Sequence, residues 1–213
     1  MTQIKICGIT NEDDALQVAL LGANYIGFLV EISFSEDKVT RQQAKAIIKK
    51  LPLEIQPVFV TYLQKAAPII EIAKEINPAI IQLHNDIEIK EIGKIRKALP
   101  KIKITKTISV VNEDSTKEAK KFEKYVDFIL LDSKVGNKKG GTGKVHNWEI
   151  SRKIVKSVKK PVFLAGGLSP DNVQEAIKKV KPYAVDVNSG VKAKARKKDS
   201  EKLKLFIERA KQS

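Results

Sequence analysis

The chain has 213 residues, a hydrophobic fraction of 42% and a formal net charge of +15. That length suits one domain over residues 1–213, and the apolar content excludes a disordered chain, which buries too little surface to offset its entropy. A lone cysteine, Cys7, excludes an internal disulfide, and no apolar run approaches the roughly 20 residues of a membrane span.

The predicted elements alternate from start to finish, a short β-branched apolar run followed by a stretch with helical periodicity. The units in order are Gln3–Cys7 with Glu12–Leu21, Asn24–Val30 with Thr40–Lys50, and Ile55–Val60 with Lys65–Ile76. Next come Ala79–Leu83 with Ile87–Leu99, Lys101–Thr107 with Ser115–Tyr125, and Asp127–Leu131 with Asn147–Val158. Pro161–Ala165 with Asp171–Val180 and Ala184–Val187 with Asp199–Ala210 complete the series. Eight such units predict an α/β fold, a single-domain (β/α)8 TIM barrel. An open doubly wound sheet would carry Gly-x-Gly-x-x-Gly after its first strand, where this chain reads Lys5-Ile6-Cys7-Gly8.

The start, Met1-Thr2-Gln3-Ile4-Lys5, lacks the basic and apolar regions of a signal peptide, so a cytoplasmic location is expected. The positive charge recurs as lysine pairs such as Lys49-Lys50, Lys120-Lys121 and Lys178-Lys179 on the outer faces of the predicted helices. No aromatic residues interleave them for base stacking, so nucleic acid is not the expected partner. A basic exterior does attract a small anionic ligand. Neither a membrane nor a fixed oligomer is implied, and monomer or homodimer is expected.

Barrel chemistry sits where strands run into the following loops. Cys7 ends the first strand, and Thr10 beyond it reads as a helix cap, so a thiol with a lowered pKa is one expectation and an inert buried cysteine the other. Asp132 closes Phe128-Ile129-Leu130-Leu131, where desolvation would raise its pKa and suit it to general-acid work, or where it caps the next loop. Three late loops carry glycine: Gly140-Gly141-Thr142-Gly143, Ala165-Gly166-Gly167 and Asn188-Ser189-Gly190. Backbone N–H groups there are open to an anion, and late loops of this fold often take phosphate. Ser169-Pro170-Asp171-Asn172 reads as a helix start with proline in its first turn.

An ordered set of motifs runs nearly end to end. It comprises Lys5-Ile6-Cys7-Gly8-Ile9-Thr10, Gln82-Leu83-His84, Leu130-Leu131-Asp132 and Gly140-Gly141-Thr142-Gly143-Lys144, then Leu164-Ala165-Gly166-Gly167-Leu168 and Asp186-Val187-x-Ser189-Gly190-Val191. The set resembles the phosphoribosylanthranilate isomerase family. The resemblance implies an Amadori isomerase of tryptophan biosynthesis, with Cys7 as general base and Asp132 as general acid. It places the substrate phosphate on Gly141, Thr142, Gly143, Gly166, Gly167, Ser189 and Gly190. It implies a phosphorylated small-molecule substrate and no metal or organic cofactor. Alternatives on the same scaffold are a paralogue isomerising another phosphorylated aminosugar and a catalytically weak barrel that binds a phosphate ligand.

Departures from the family pattern cluster near the substrate ring. The arginine that usually follows the second strand and holds the ring carboxylate is absent from Ser33-Phe34-Ser35-Glu36-Asp37-Lys38. Glu36 and Asp37 are expected to repel a carboxylate, which leaves Lys38 as the substitute in that loop, near Gln82 and His84. Asn85 and Lys192 stand where the family usually has glycine and glutamate. His84 is expected to be a structural loop residue. The basic tract 192–204 is expected to be a solvated loop running into the outer face of the last helix.

Overall fold

The computed structural model describes residues 1–135, 138–139, 146–194 and 196–213. Strands β1 (Gln3–Cys7), β2 (Tyr25–Val30), β3 (Gln56–Thr61) and β4 (Ile80–Leu83) alternate with helices α1 (Glu12–Leu20), α2 (Arg41–Ile48), α3 (Ala66–Ile76) and α4 (Ile89–Ala98). Strands β5 (Lys103–Val110), β6 (Phe128–Val135), β7 (Val162–Leu164) and β8 (Ala184–Val187) are followed by α5 (Asp114–Glu123), α6 (Trp148–Ser157), α7 (Val173–Val180) and α8 (Ser200–Lys211). Neighbouring strands pair in parallel around the ring, and β1 closes it against both β2 and β8. This is the (β/α)8 barrel expected from the sequence.

Alternation along the strands sorts side chains between two cores. Ile4 and Ile6 of β1, Ile129 and Leu131 of β6, and Val162 and Leu164 of β7 pack outward against the helices. Cys7, Phe128, Leu130 and Phe163 point into the barrel. The interior is layered. Tyr25, Phe128 and Phe163 form an apolar floor, with Phe163 ring centroids 5.1 Å from Tyr25 and 5.4 Å from Phe128. Above it, Lys5 Nζ donates to Asp186 Oδ2 at 2.7 Å and to Gln82 Oε1 at 2.9 Å. Register makes this possible, because Lys5 and Asp186 are direct partners across the β1–β8 seam. Cys7 and Asp132 lie above that polar layer, at the C-terminal ends of the strands.

Three local expectations are corrected. Asn11, not Thr10, caps α1 by accepting from the Asp14 amide, while the Thr10 hydroxyl donates to the Arg196 carbonyl at 2.6 Å. Helix α7 starts at Val173, so Ser169 and Pro170 belong to a preceding turn, in which the Ser169 amide donates to Asn172 Oδ1. The basic tract is not wholly solvated. Lys192–Lys194 and Lys197–Lys198 form an antiparallel hairpin, and the Lys198 side chain is buried. Among the described residues, no helix is long and apolar enough to cross a membrane.

Candidate active site

A cavity of about 930 Å³ opens at the C-terminal rim, lined by Cys7, Gln82, His84, Asp132, Gly166, Gly167, Ser189 and Lys192 among others. The two reactive groups singled out in the sequence therefore share one chamber. Gln82 and His84 line it as well. Gly141, Thr142 and Gly143 lie outside the described residues.

Cys7 faces Gly27 in the β1–β2 register, and a β-carbon at position 27 would come within 2.7 Å of the thiol sulfur. Glycine there leaves the sulfur its space. Burial pushes the Cys7 thiol above its ordinary value, Lys5 and Lys198 pull it down, and Asp186 pushes it up. The net rise corrects the expectation of a lowered pKa. The helix that follows begins only at Glu12, and depth in the barrel outweighs its N-terminus. The free enzyme thus holds a thiol with a cation at hand.

Asp132 ends the inward-facing series Phe128, Leu130, Asp132 of β6, so its carboxyl enters the chamber from an apolar wall. Burial, aided by Asp186, lifts it to about 7 against the opposing pull of the Ser133 amide and Lys5. Oδ1 accepts from the Ser133 amide at 2.7 Å, and Oδ2 stands 3.6 Å from His84 Nε2. Because the Lys5 ammonium occupies Gln82 Oε1, the Gln82 amide group turns its N–H toward His84 Nδ1, 3.2 Å away. That contact makes Nδ1 an acceptor, so the ring proton sits on Nε2, on the side that faces Asp132. Lys5, Gln82 and His84 are joined by hydrogen bonds across the barrel, and Asp132 stands 3.6 Å beyond the ring.

The candidate phosphate residues fall on adjacent loops. Gly166 and Gly167 have φ of +84° and +71°, the left-handed region where glycine is unstrained. Ser189 and Gly190 lie in a 3-10 turn spanning Ser189–Val191, directly after β8. Gly190 does not line the cavity, but a β-carbon on it would collide with the Leu168 carbonyl and reach 3.0 Å from Ser169 Cα. Glycine thus lets the β8 turn press on the loop after β7. Gly190→Ala is expected to lower stability by about 1–3 kcal/mol through overpacking and to weaken inhibition by inorganic phosphate. Urea titration and phosphate inhibition check both, and unchanged values in each would detach Gly190 from this role.

Lys38 lies on the rim but outside the cavity lining, because its Nζ folds back onto the Ser33 carbonyl at 3.2 Å. Residues of the site without a role in the sequence reading are Lys5, Asp186, Asn188, Phe34 and Tyr62. A signal existed for the first, since Lys5 is two residues before Cys7 and must share its face of the strand. Phe34 packs edge-on to Tyr62 at 4.9 Å, and Tyr62 lies 4.7 Å from the His84 ring. Together they make an aromatic wall for the chamber.

Strand order and chamber define a (β/α)8 barrel whose C-terminal mouth holds a buried carboxyl and a buried thiol in one cavity. The chain belongs to the family described as N-(5'-phosphoribosyl)anthranilate (PRA) isomerase, whose model matches residues 4–209. An N-(5'-phosphoribosyl)anthranilate isomerase of Methanocella arvoryzae is 41% identical over 98% of this chain and 97% of the relative. Isomerase 2 of Methanosarcina mazei is 42% identical over 98% of this chain and 94% of its own. The solved isomerase of Thermotoga maritima superposes with a TM-score of 0.90 at 34% identity, covering 100% of both chains. A phosphoribosyl anthranilate isomerase solved with reduced 1-(o-carboxyphenylamino)-1-deoxyribulose 5-phosphate gives 0.87 at 32% identity, again over 100% of both chains.

Proposed function

We propose that this chain catalyses the Amadori rearrangement of N-(5'-phosphoribosyl)anthranilate to 1-(2-carboxyphenylamino)-1-deoxyribulose 5-phosphate, a cytoplasmic step of tryptophan biosynthesis performed by a monomer or homodimer. The observation that carries the reading is a carboxyl held at about 7 in the same chamber as the Cys7 thiol. Family membership supports it. Asp132 donates its proton to the ribose ring oxygen, and the ring opens to a Schiff base. Cys7, as thiolate, removes the proton on C2, giving an enolamine that tautomerises to the ketone. The protonated substrate nitrogen receives the electron pair, so the steps balance without an external oxidant or reductant. Gly166, Gly167 and Ser189 hold the phosphate, and Gly190 seats the turn that carries Ser189. Lys5 stabilises the thiolate as its neighbouring cation.

The acid and base must hold opposite protonation states, and this sets the pH dependence. Well below pH 7 both groups hold protons and no base exists. Above both pKa values both are ionised and no acid exists. Between these limits the pair shares one proton, and the fraction with AspH and thiolate turns over. A fluorescence assay of anthranilate-ribose consumption is therefore expected to give a bell-shaped kcat/KM. It should rise as pH increases through about 7 and fall only above the raised value of the thiol. Absence of turnover would overturn the proposed function, and a flat profile would remove the acid–base pair from it.

A further inference from the structure

The loop after β2 has no arginine, yet a cation does reach the chamber from across the rim. Among the described residues that line the cavity, Lys192 is the single lysine or arginine. It follows the 3-10 turn beyond β8, and its side chain is only 14% exposed. Its Nζ lies 2.9 Å from Asp37 Oδ1, 3.0 Å from Asp37 Oδ2 and 2.5 Å from Glu36 Oε1. The two acidic residues expected to repel a carboxylate are thus ion-paired.

The partners of Lys192 differ in how firmly they are held. Asp37 is buried and also accepts from Asn188 Nδ2 at 3.1 Å. Glu36 is a surface side chain, 64% exposed, and leaves Nζ at small cost. Around them, Arg196 Nη1 donates to the carbonyls of Glu36 and Lys38 at 3.2 and 2.9 Å, and Lys198 Nζ donates to Asn188 Oδ1 at 2.7 Å. Lys192 is the cation of this group bonded directly to carboxylates, while Arg196 is held by main-chain carbonyls and Lys198 by Asn188 and the Cys7 carbonyl. Lys192 is drawn toward the β2 side of the rim by Glu36 and Asp37, in the chamber that Phe34 also lines. Gly166 and Gly167 lie on the other side of β8.

We infer that Lys192 is the residue that receives the carboxylate of the substrate's aromatic ring. The ring carboxylate takes the place of Glu36 on Nζ, while buried Asp37 stays as the counter-ion that aims the ammonium into the chamber. The ring lies against Phe34 and Tyr62, and the phosphate lies toward Gly166 and Ser189. Charge is conserved in the exchange, because one carboxylate leaves Nζ as another arrives. This assignment rests on the isomerase reading, since that substrate brings a ring carboxylate and a phosphate together.

The test uses two ligands, reduced 1-(o-carboxyphenylamino)-1-deoxyribulose 5-phosphate and its phenylamino counterpart without the carboxylate. A charged hydrogen bond makes the unsubstituted protein prefer the first by about 10- to 100-fold. Lys192→Met is expected to bring that ratio to about one, with the Kd of the carboxylate-free ligand and inhibition by inorganic phosphate unchanged. Glu36→Gln is expected to raise the ratio, because it removes the competing carboxylate, and it tests the idea independently should Lys192→Met fold poorly. An unchanged ratio in either variant overturns the assignment. So does parallel loss of both ligands and of phosphate inhibition in Lys192→Met, which would make Lys192 a phosphate contact. Failure of the unsubstituted protein to bind either ligand would overturn the isomerase reading itself, and this assignment with it.

Discussion

Cys7→Ala and Asp132→Asn are each expected to lower kcat by about 10²- to 10⁴-fold, the usual contribution of a general base or acid. Removing the thiol leaves no side chain to take the C2 proton. Asparagine at 132 keeps the shape and retains an oxygen for the Ser133 amide, which now bonds Oδ1 at 2.7 Å, but it has no acidic proton to deliver. The loss should be in kcat, since neither group belongs to the phosphate cradle. Stability provides the internal control. Burial raises the folded-state carboxyl to about 7, whereas an unfolded aspartate titrates at about 3.9. Between those values the folded state holds a proton that the unfolded state lacks, so stability falls as pH rises. Asp132→Asn escapes that penalty. At pH 8 the variant should exceed the parent by on the order of 1–4 kcal/mol, with the gap closing below about pH 4. Activity in Asp132→Asn within tenfold of the parent would remove Asp132 from the proton-donor role.

Lys5→Met is expected to cost about 3–5 kcal/mol, because it strips the counter-ion from a carboxylate already out of water. Lys5 is 1% exposed, bonded to Asp186 and Gln82, and Asp186 Oδ1 has no hydrogen-bond partner among the described residues. Asp186 therefore depends heavily on this ammonium. Lys5→Met combined with Asp186→Val removes both charges and should recover most of the lost stability. Activity should stay low in the double variant, since Lys5 also opposes the rise in the Cys7 pKa. Urea denaturation of the four proteins in the cycle measures the coupling. If Lys5→Met shifts stability by less than about 1 kcal/mol, the range of an exposed pair, the buried-pair account is wrong.

The barrel was legible because both faces of its strands are buried. Phe128-Ile129-Leu130-Leu131 reads as one apolar run, and Asp132 marks where that run meets the chamber. What stayed hidden depended on partners far away in the chain. Thr10 and Asn11 are both good capping residues, and the choice between them is made by the Arg196 carbonyl, which claims the Thr10 hydroxyl. The hairpin at Lys192–Lys198 has a loop-like polar composition, because its fixed contacts are with the Cys7 carbonyl and with Glu36 and Asp37. The ionisation of Cys7 turned on depth within the barrel, which no local pattern records. Lys5 looked like one lysine among many, although its spacing from Cys7 already placed it inside.

The seam between β1 and β8 has a consequence for biosynthesis. Lys198, which bonds the Cys7 carbonyl, lies 191 residues further along the chain, and Asp186, which acts on the thiol, is nearly as far. The thiol therefore stays unshielded while the residues between Cys7 and this hairpin are synthesised, open to oxidants until Lys192–Lys198 emerges and packs against β1. N-terminal fragments released early would expose this sulfur to solvent, and alkylation of ribosome-bound intermediates would report when it becomes enclosed.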